Sequence, residues 1–115
     1  MSVDVLQSLE IIEVMENFIS CIRPPEEIRK KLDIAYAIEE QSIIIFEIRP
    51  KFRAPGEVIK SPIAKTTFVK AKNHWKVFWQ MSDLKWHSYE PKPTVKTIKE
   101  FTGLVEKDEY HCFFG

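Results

Sequence analysis

Val5, Leu9, Ile12, Met15, Ile19 and Ile22 recur every three or four positions, with Glu10, Glu13 and Glu16 largely between them. That spacing predicts an amphipathic helix over residues 4–22. Ser2 or Asp4 would cap its first turn, and Pro24-Pro25 ends it, because the residue before a proline is pushed out of the helical region. Pro25 suits the first position of a short second helix over 25–32, with Glu26 and Glu27 at its positive end and Arg29, Lys30 and Lys31 at its negative end. The period then drops to two. Ile34, Tyr36 and Ile38 alternate with Ala35, Ala37 and Glu39, a polar Glu40-Gln41 turn follows, and a β-branched run starts at Ser42. Two antiparallel strands in a hairpin are expected. In the second, Ile44, Phe46 and Ile48 share one face and Ile43, Ile45, Glu47 and Arg49 the other, and Pro50 closes it.

Residues 51–61 contain Pro55 and Gly56 and keep no sustained period, so they read as an exposed loop long enough to be functional. Three more strands are expected: 63–71, opened by Pro62; 75–80, after a turn at Lys72-Asn73-His74; and 85–90, after a tight turn at Ser82-Asp83 and ended by Pro91 and Pro93. From Thr94, read as a cap, Val95, Ile98, Phe101 and Leu104 or Val105 return to helical spacing over 94–106. The aromatic tail, 107–115, is expected to dock, since exposing Phe113 and Phe114 would forgo about 1.5–3 kcal/mol of burial each. The pattern therefore predicts an α+β fold. An antiparallel meander of about five strands over 33–90 carries an N-terminal and a C-terminal helix on one face.

With 115 residues and 13.6 kDa, the chain has room for one domain, 1–115, which excludes multidomain enzyme architectures. Cys21 and Cys112 lack metal or redox spacing and suggest reduced thiols. The N-terminus has acids and no basic region, so it is not a secretory signal, and no apolar run approaches a membrane span. A cytoplasmic protein without a membrane association is expected.

Formal neutrality hides a gradient: residues 1–50 hold ten acids and five bases, whereas residues 51–115 hold seven acids and twelve bases. Between Arg49 and Lys76, eight bases face a single acid, Glu57. Such a stretch either attracts an anionic partner or forms solvated strand faces that discourage aggregation.

The runs Phe46-Glu47-Ile48-Arg49-Pro50-Lys51-Phe52-Arg53, Gly56-Glu57 and Ser61-Pro62-Ile63-Ala64-Lys65 occur with Arg23-Pro24-Pro25, Trp75-Lys76-Val77-Phe78-Trp79, Trp86 to Tyr89 and a terminal Phe113-Phe114-Gly115. Together they resemble the small bacterial proteins grouped as domain of unknown function 3024, over most of the chain from the end of the first helix. Where relatives commonly carry a tryptophan after the Gly-Glu pair, this chain has Val58. The resemblance implies a bacterial origin and brings no substrate, cofactor or catalytic residue.

The candidate site is the passage from the second strand into the long loop. Arg49 and Arg53 would meet anions or carboxylates, Glu47 and Glu57 would be their counter-charges, Phe52 an apolar contact, and Lys65 would face across, with Trp86 and His87 nearby. Glu47 with Glu57 also forms a candidate acid–base pair, although two carboxylates without separated pKa values are only charged residues. His74, His87 and His111 match no metal spacing, and no metal or cofactor is expected. His74 reads as a solvated turn residue. Aromatics interleaved with lysines over 49–87 are what single-stranded nucleic acid uses for stacking and phosphate contact. The leading expectation is nevertheless a non-catalytic protein-interaction or self-association module, a dimer formed by edge strands or by the sheet face opposite the helices, with Ile43 and Ile45 on it.

Overall fold

Isoleucines on both sides of one strand leave the orientation of the sheet to packing. The computed structural model describes residues 5–54, 56–81 and 83–114. It contains helix α1 (Val5–Ile22), strands β1 (Asp33–Glu39), β2 (Ser42–Pro50), β3 (Val58–Val69), β4 (His74–Gln80), β5 (Trp86–Ser88) and β6 (Thr94–Val95), and helix α2 (Ile98–Lys107). The strands form one antiparallel sheet in the order β1-β2-β3-β4-β5, with β6 sharing the outer side of β4. This is the expected α+β meander. The caps expected at Ser2 or Asp4, the Val5 side chain, and Pro55, Ser82 and Gly115 lie outside the described residues.

Cross-strand register separates the faces. Tyr36, Ile45, Ala64, Trp79 and His87 form one row across five strands, and Ile38, Ile43, Thr66 and Val77 the next. Ile43, Ile45, Ala64, Thr66 and Val77 are at most 1% exposed. They join Ile11, Met15 and Phe18 of α1 and Ile98, Phe101 and Val105 of α2 in one hydrophobic cluster. Ile44, Phe46 and Ile48 lie on the other face and are half-buried. The expectation that Ile43 and Ile45 would sit on the uncovered face is therefore inverted. Alternation groups residues by face, but with isoleucine on both sides it carries no sign that says which face is covered.

α1 also turns differently from the expected stripe. Leu9 is 60% and Ile12 42% exposed, whereas Ile11, Met15 and Phe18 are buried, flanked by Val14, Ile19 and Ile22. The helix is apolar over an arc wide enough to offer two stripes, and packing against α2 and the sheet selects the one bearing Phe18. Residues 25–32 form successive turns instead of a second helix: Ile28 N–H donates to Pro25 O, and Lys31 and Leu32 N–H both donate to Ile28 O. So short a segment does not recover the cost of helix nucleation.

Other boundaries move for local reasons. β3 begins at Val58 because Arg49 and Pro50 pair with Ile59 and Val58, so the expected 51–61 loop shrinks to its first seven residues. Pro62 lies inside β3, tolerated because the register shifts there: Ile45 faces Ala64 while Phe46 faces Pro62, leaving Ile63 as a bulge. His74 opens β4 instead of lying in the turn, which is a short 3-10 segment, Lys70–Lys72, completed by Asn73 at φ 50°. Thr94 is not a cap; it pairs with Lys76 in β6, and β5 is limited to Trp86–Ser88. Thr97 caps α2, its hydroxyl accepting the Glu100 N–H at 3.1 Å, the Thr-x-x-Glu spacing of a capping box.

Three polar ties fasten the ends. Arg23 grips Asp33 with two bonds of 2.7 Å, and the Tyr36 hydroxyl donates to Glu16 at 2.7 Å, so α1 is joined to β1 twice. Burial, then that bond, push the Tyr36 phenol up to about 12. After α2, Asp108 takes a left-handed conformation and its carboxylate accepts the Phe113 and Phe114 N–H groups at 3.0 and 2.9 Å. Phe113 is buried with its ring centroid 4.9 Å from that of Tyr89, but Phe114 is 41% exposed, so the tail docks through one phenylalanine and not two.

The two stripes of α1 can be told apart by denaturation. Ile11→Ala should cost about 2–5 kcal/mol and Ile12→Ala less than about 1 kcal/mol; equal costs would refute the observed face. The Arg23 bonds hold the Asp33 carboxyl below its ordinary value of 3.8. A depressed carboxylate contributes stability that is complete above the unfolded pKa and lost as pH falls. Stability should therefore decline as the pH drops through 3.8 and below, and Asp33→Asn should flatten that limb; an unaltered acid limb in the variant would remove the tie.

Candidate functional site

The β2–β3 hairpin continues past the bulge as an arm. Its tip is turned by Arg53 at φ 60° and Gly56 at φ 85°, positive angles that a glycine adopts freely and an arginine only at some cost. Lys51 N–H donates to Glu57 O at 2.9 Å and Glu57 N–H to Ala54 O at 3.0 Å, closing the tip. Phe52 is 84% exposed, and the Arg53 guanidinium lies over its ring at 5.1 Å.

The eight candidate residues fall into separate groups. Arg49 pairs with Glu47 at 3.6 Å on the core-side pleat, while Phe52, Arg53 and Glu57 occupy the tip. Lys65 points to the opposite face, where its ammonium lies 5.5 Å from the rings of both Phe78 and Trp86. His87 is adjacent to Trp86 in sequence but on the other pleat, bound to Asp83 at 2.9 Å. The Lys85 N–H, then His87, keep the Asp83 carboxyl below its ordinary value. Glu47 stands opposite Ser61 and Glu57 beyond the last pair, Pro50 with Val58. Clefts of about 380 and 330 Å³ run along α1 and α2, and neither carboxylate lines them.

The open pleat holds a more continuous surface. Ala37, Ile44, Lys65, Phe78 and Ser88 form a row across five strands, and Ala35, Phe46 and Pro62 form another. Lys60 lies 5.4 Å over the Phe46 ring. Lys60 and Lys65 are an odd number of residues apart and would point to opposite faces of a regular strand; the Ile63 bulge brings them to the same one. Phe46, Phe78 and Lys60 are thus surface components that the sequence reading of the site left out. Alternation does group Phe46 with Ile44 and Ile48, but their neighbours on β3 and β4 require the shifted register.

Among the described residues, no three His, Cys, Asp or Glu side chains gather to hold a metal ion. Both cysteines are free, and burial, then Asp108, push the Cys112 thiol up. No helix among those residues is long and apolar enough to cross a membrane. Residues 3–115 match the family described as Domain of unknown function (DUF3024). The chain belongs to that family. The match takes in almost the whole DUF3024 chain, including α1, which precedes the motifs quoted above. No curated protein and no solved structure matches it.

Proposed function

We propose that the chain is a non-catalytic bacterial interaction module whose open sheet face associates with a second copy. The observation that carries this reading is the face bearing Ala35, Ala37, Ile44, Phe46, Ile48, Phe78 and Trp86, an apolar field on the pleat opposite the core rows. Fields of this kind mark contact surfaces. Charge supports a copy of the same chain as the occupant. One row runs Glu39, Ser42, Thr67, Lys76 and another Asp33, Ile48, Lys60, each acidic at β1 and basic further across. A twofold axis parallel to the strands and between β2 and β3 lays β1 of one copy over β4 of the other, so Glu39 meets Lys76, with Asp33 one strand away from Lys60. Asp33 is already engaged by Arg23, which leaves Glu39 with Lys76 as the deciding pair. One folded unit spanning 1–115 fits the core cluster that joins both helices, the sheet and Phe113, and the free thiols fit a reducing cytoplasm.

A second reading, single-stranded nucleic acid, is favoured by the Lys60–Phe46 and Lys65–Phe78–Trp86 pairs, because bases stack on aromatics flanked by cations. It ranks second since stacking needs free ring faces and these rings carry ammonium groups. A protein surface can instead pack on ring edges and lysine stems.

Light scattering should give a mass near twice 13.6 kDa. Glu39→Lys should shift it toward monomer, and Glu39→Lys combined with Lys76→Glu should restore the dimer; a wild-type monomer at high concentration sinks the reading. Retention on single-stranded DNA that weakens steeply with salt and is lost in Lys65→Glu would move the second reading first.

A further inference from the structure

Strand pairing leaves the far end of the β2–β3 hairpin without support. The β1 ladder ends at Ile48 and the β4 ladder at Ala64, so the pairs Arg49–Ile59 and Pro50–Val58 have no further strand on either side. Every described residue from Arg49 to Lys60 is exposed except Ala54, which is half-buried. The protein measures 46 × 30 × 25 Å and its radius of gyration is 14.5 Å, against about 13 Å for a compact chain of this length, as a projecting ribbon requires. Main-chain bonds from Lys51 to Glu57 and from Glu57 to Ala54 close the tip, so its shape exists before any partner arrives.

The side chains on this ribbon say what it meets. Between residues 49 and 60, Arg49, Lys51, Arg53 and Lys60 stand against Glu57 alone. Register puts Arg49 with Ile59 on one pleat and Lys60 with Ile48 on the other, so cations flank the ribbon on both faces. A flat anionic surface would be met by one face. Cations on two faces fit anions on both sides, which the phosphate walls of a duplex groove provide. Phe52 leads the tip, 84% exposed, with the Arg53 guanidinium over its ring. We infer that the β2–β3 arm enters the major groove of duplex DNA, with Phe52 and Arg53 at base edges and Arg49, Lys51 and Lys60 at phosphates. That groove, about 12 Å wide, admits a two-stranded ribbon, whereas the deep, narrow major groove of duplex RNA does not. Phe52 lies three residues beyond Arg49, a reach of at most about 10 Å, which matches a groove about 8.5 Å deep. A phenylalanine suits the thymine methyl and an arginine the guanine edge. Arg49 lies 3.6 Å from Glu47 and its side chain is 55% exposed, a loose pair that a phosphate displaces. The inference stands apart from self-association and from single-strand binding on the open face, since it uses neither Glu39 nor the Lys65–Phe78–Trp86 cluster.

The test is fluorescence anisotropy of a labelled DNA duplex titrated with the full-length protein at several sodium chloride concentrations. The single strand, the matching RNA duplex and vesicles of anionic phospholipid are the competing probes. Duplex DNA should bind tightest, and the logarithm of its affinity should fall with that of salt at a slope of about −3, from three phosphate contacts. Lys51→Gln should bring the slope to about −2. Phe52→Ala should weaken binding about tenfold at an unchanged slope, and Phe52→Leu should retain most of it. Phe52 lies outside the core cluster, so its truncation leaves the fold intact. Lys107→Gln, which removes the same charge from the exposed end of α2, should bind like the wild type. The inference fails if duplex DNA does not bind, if Phe52→Ala binds as tightly as the wild type, or if the single strand, the RNA duplex or the vesicles are preferred.

Discussion

A slip of one residue between β2 and β3 would set the inward side chains of one strand against the outward side chains of the other, and almost everything else in the molecule depends on that register. Ile45 opposite Ala64 and Ile43 opposite Thr66 put two isoleucines beside a side chain small enough, and another polar but satisfied, for close packing. Thr66 is fully buried and its hydroxyl donates to Lys76 O at 2.8 Å, so the polar atom there costs little. The constraint is strong because one face is covered; shifting it would put Lys65 on the same face as Ile43 and Ile45, so that either the lysine is buried or the isoleucines are exposed.

The bulge at Ile63 operates within that constraint. It allows Ile63 and Ala64, consecutive residues, both to be buried, and accommodates a proline that could not donate to a regular ladder. Its effect reaches the opposite side of the sheet, where Lys60 and Lys65 come to share a surface with Phe46, Phe78 and Trp86. The same extra residue therefore completes the core and composes the face assigned to association. Beyond it, the arm carries Phe52, Val58 and Ile59 outward, all exposed.

The candidate site illustrates how far a linear reading reaches. Glu47 and Arg49 were grouped by the two-residue period and do pair. Lys65 and Trp86 are also together, but around Phe78 and away from Glu47. His87 stands on the other pleat, and Phe52, Arg53 and Glu57 remain at the tip. Proximity along the chain is a good guide within one strand and a poor one across a bulge or a tight turn. A cleft beside the β3–β4 turn was less legible still: its Lys72 is separated from Lys92 and Lys96 by β4, β5 and the turns that follow them.

Element type came from local rules. Period-two alternation marked β1 and β2, the three-and-four spacing marked both helices, and prolines or short polar clusters marked most turns, because backbone sterics and side-chain direction act between near neighbours. Tertiary packing decided the rest: which isoleucines of β2 turn inward, which stripe of α1 is buried, that residues 25–32 stop at turns, and that Thr94 joins a strand while Thr97 begins the helix. These are choices between nearly equal local alternatives. Such alternatives are separated only by what lies across from them, and that is settled when distant segments meet.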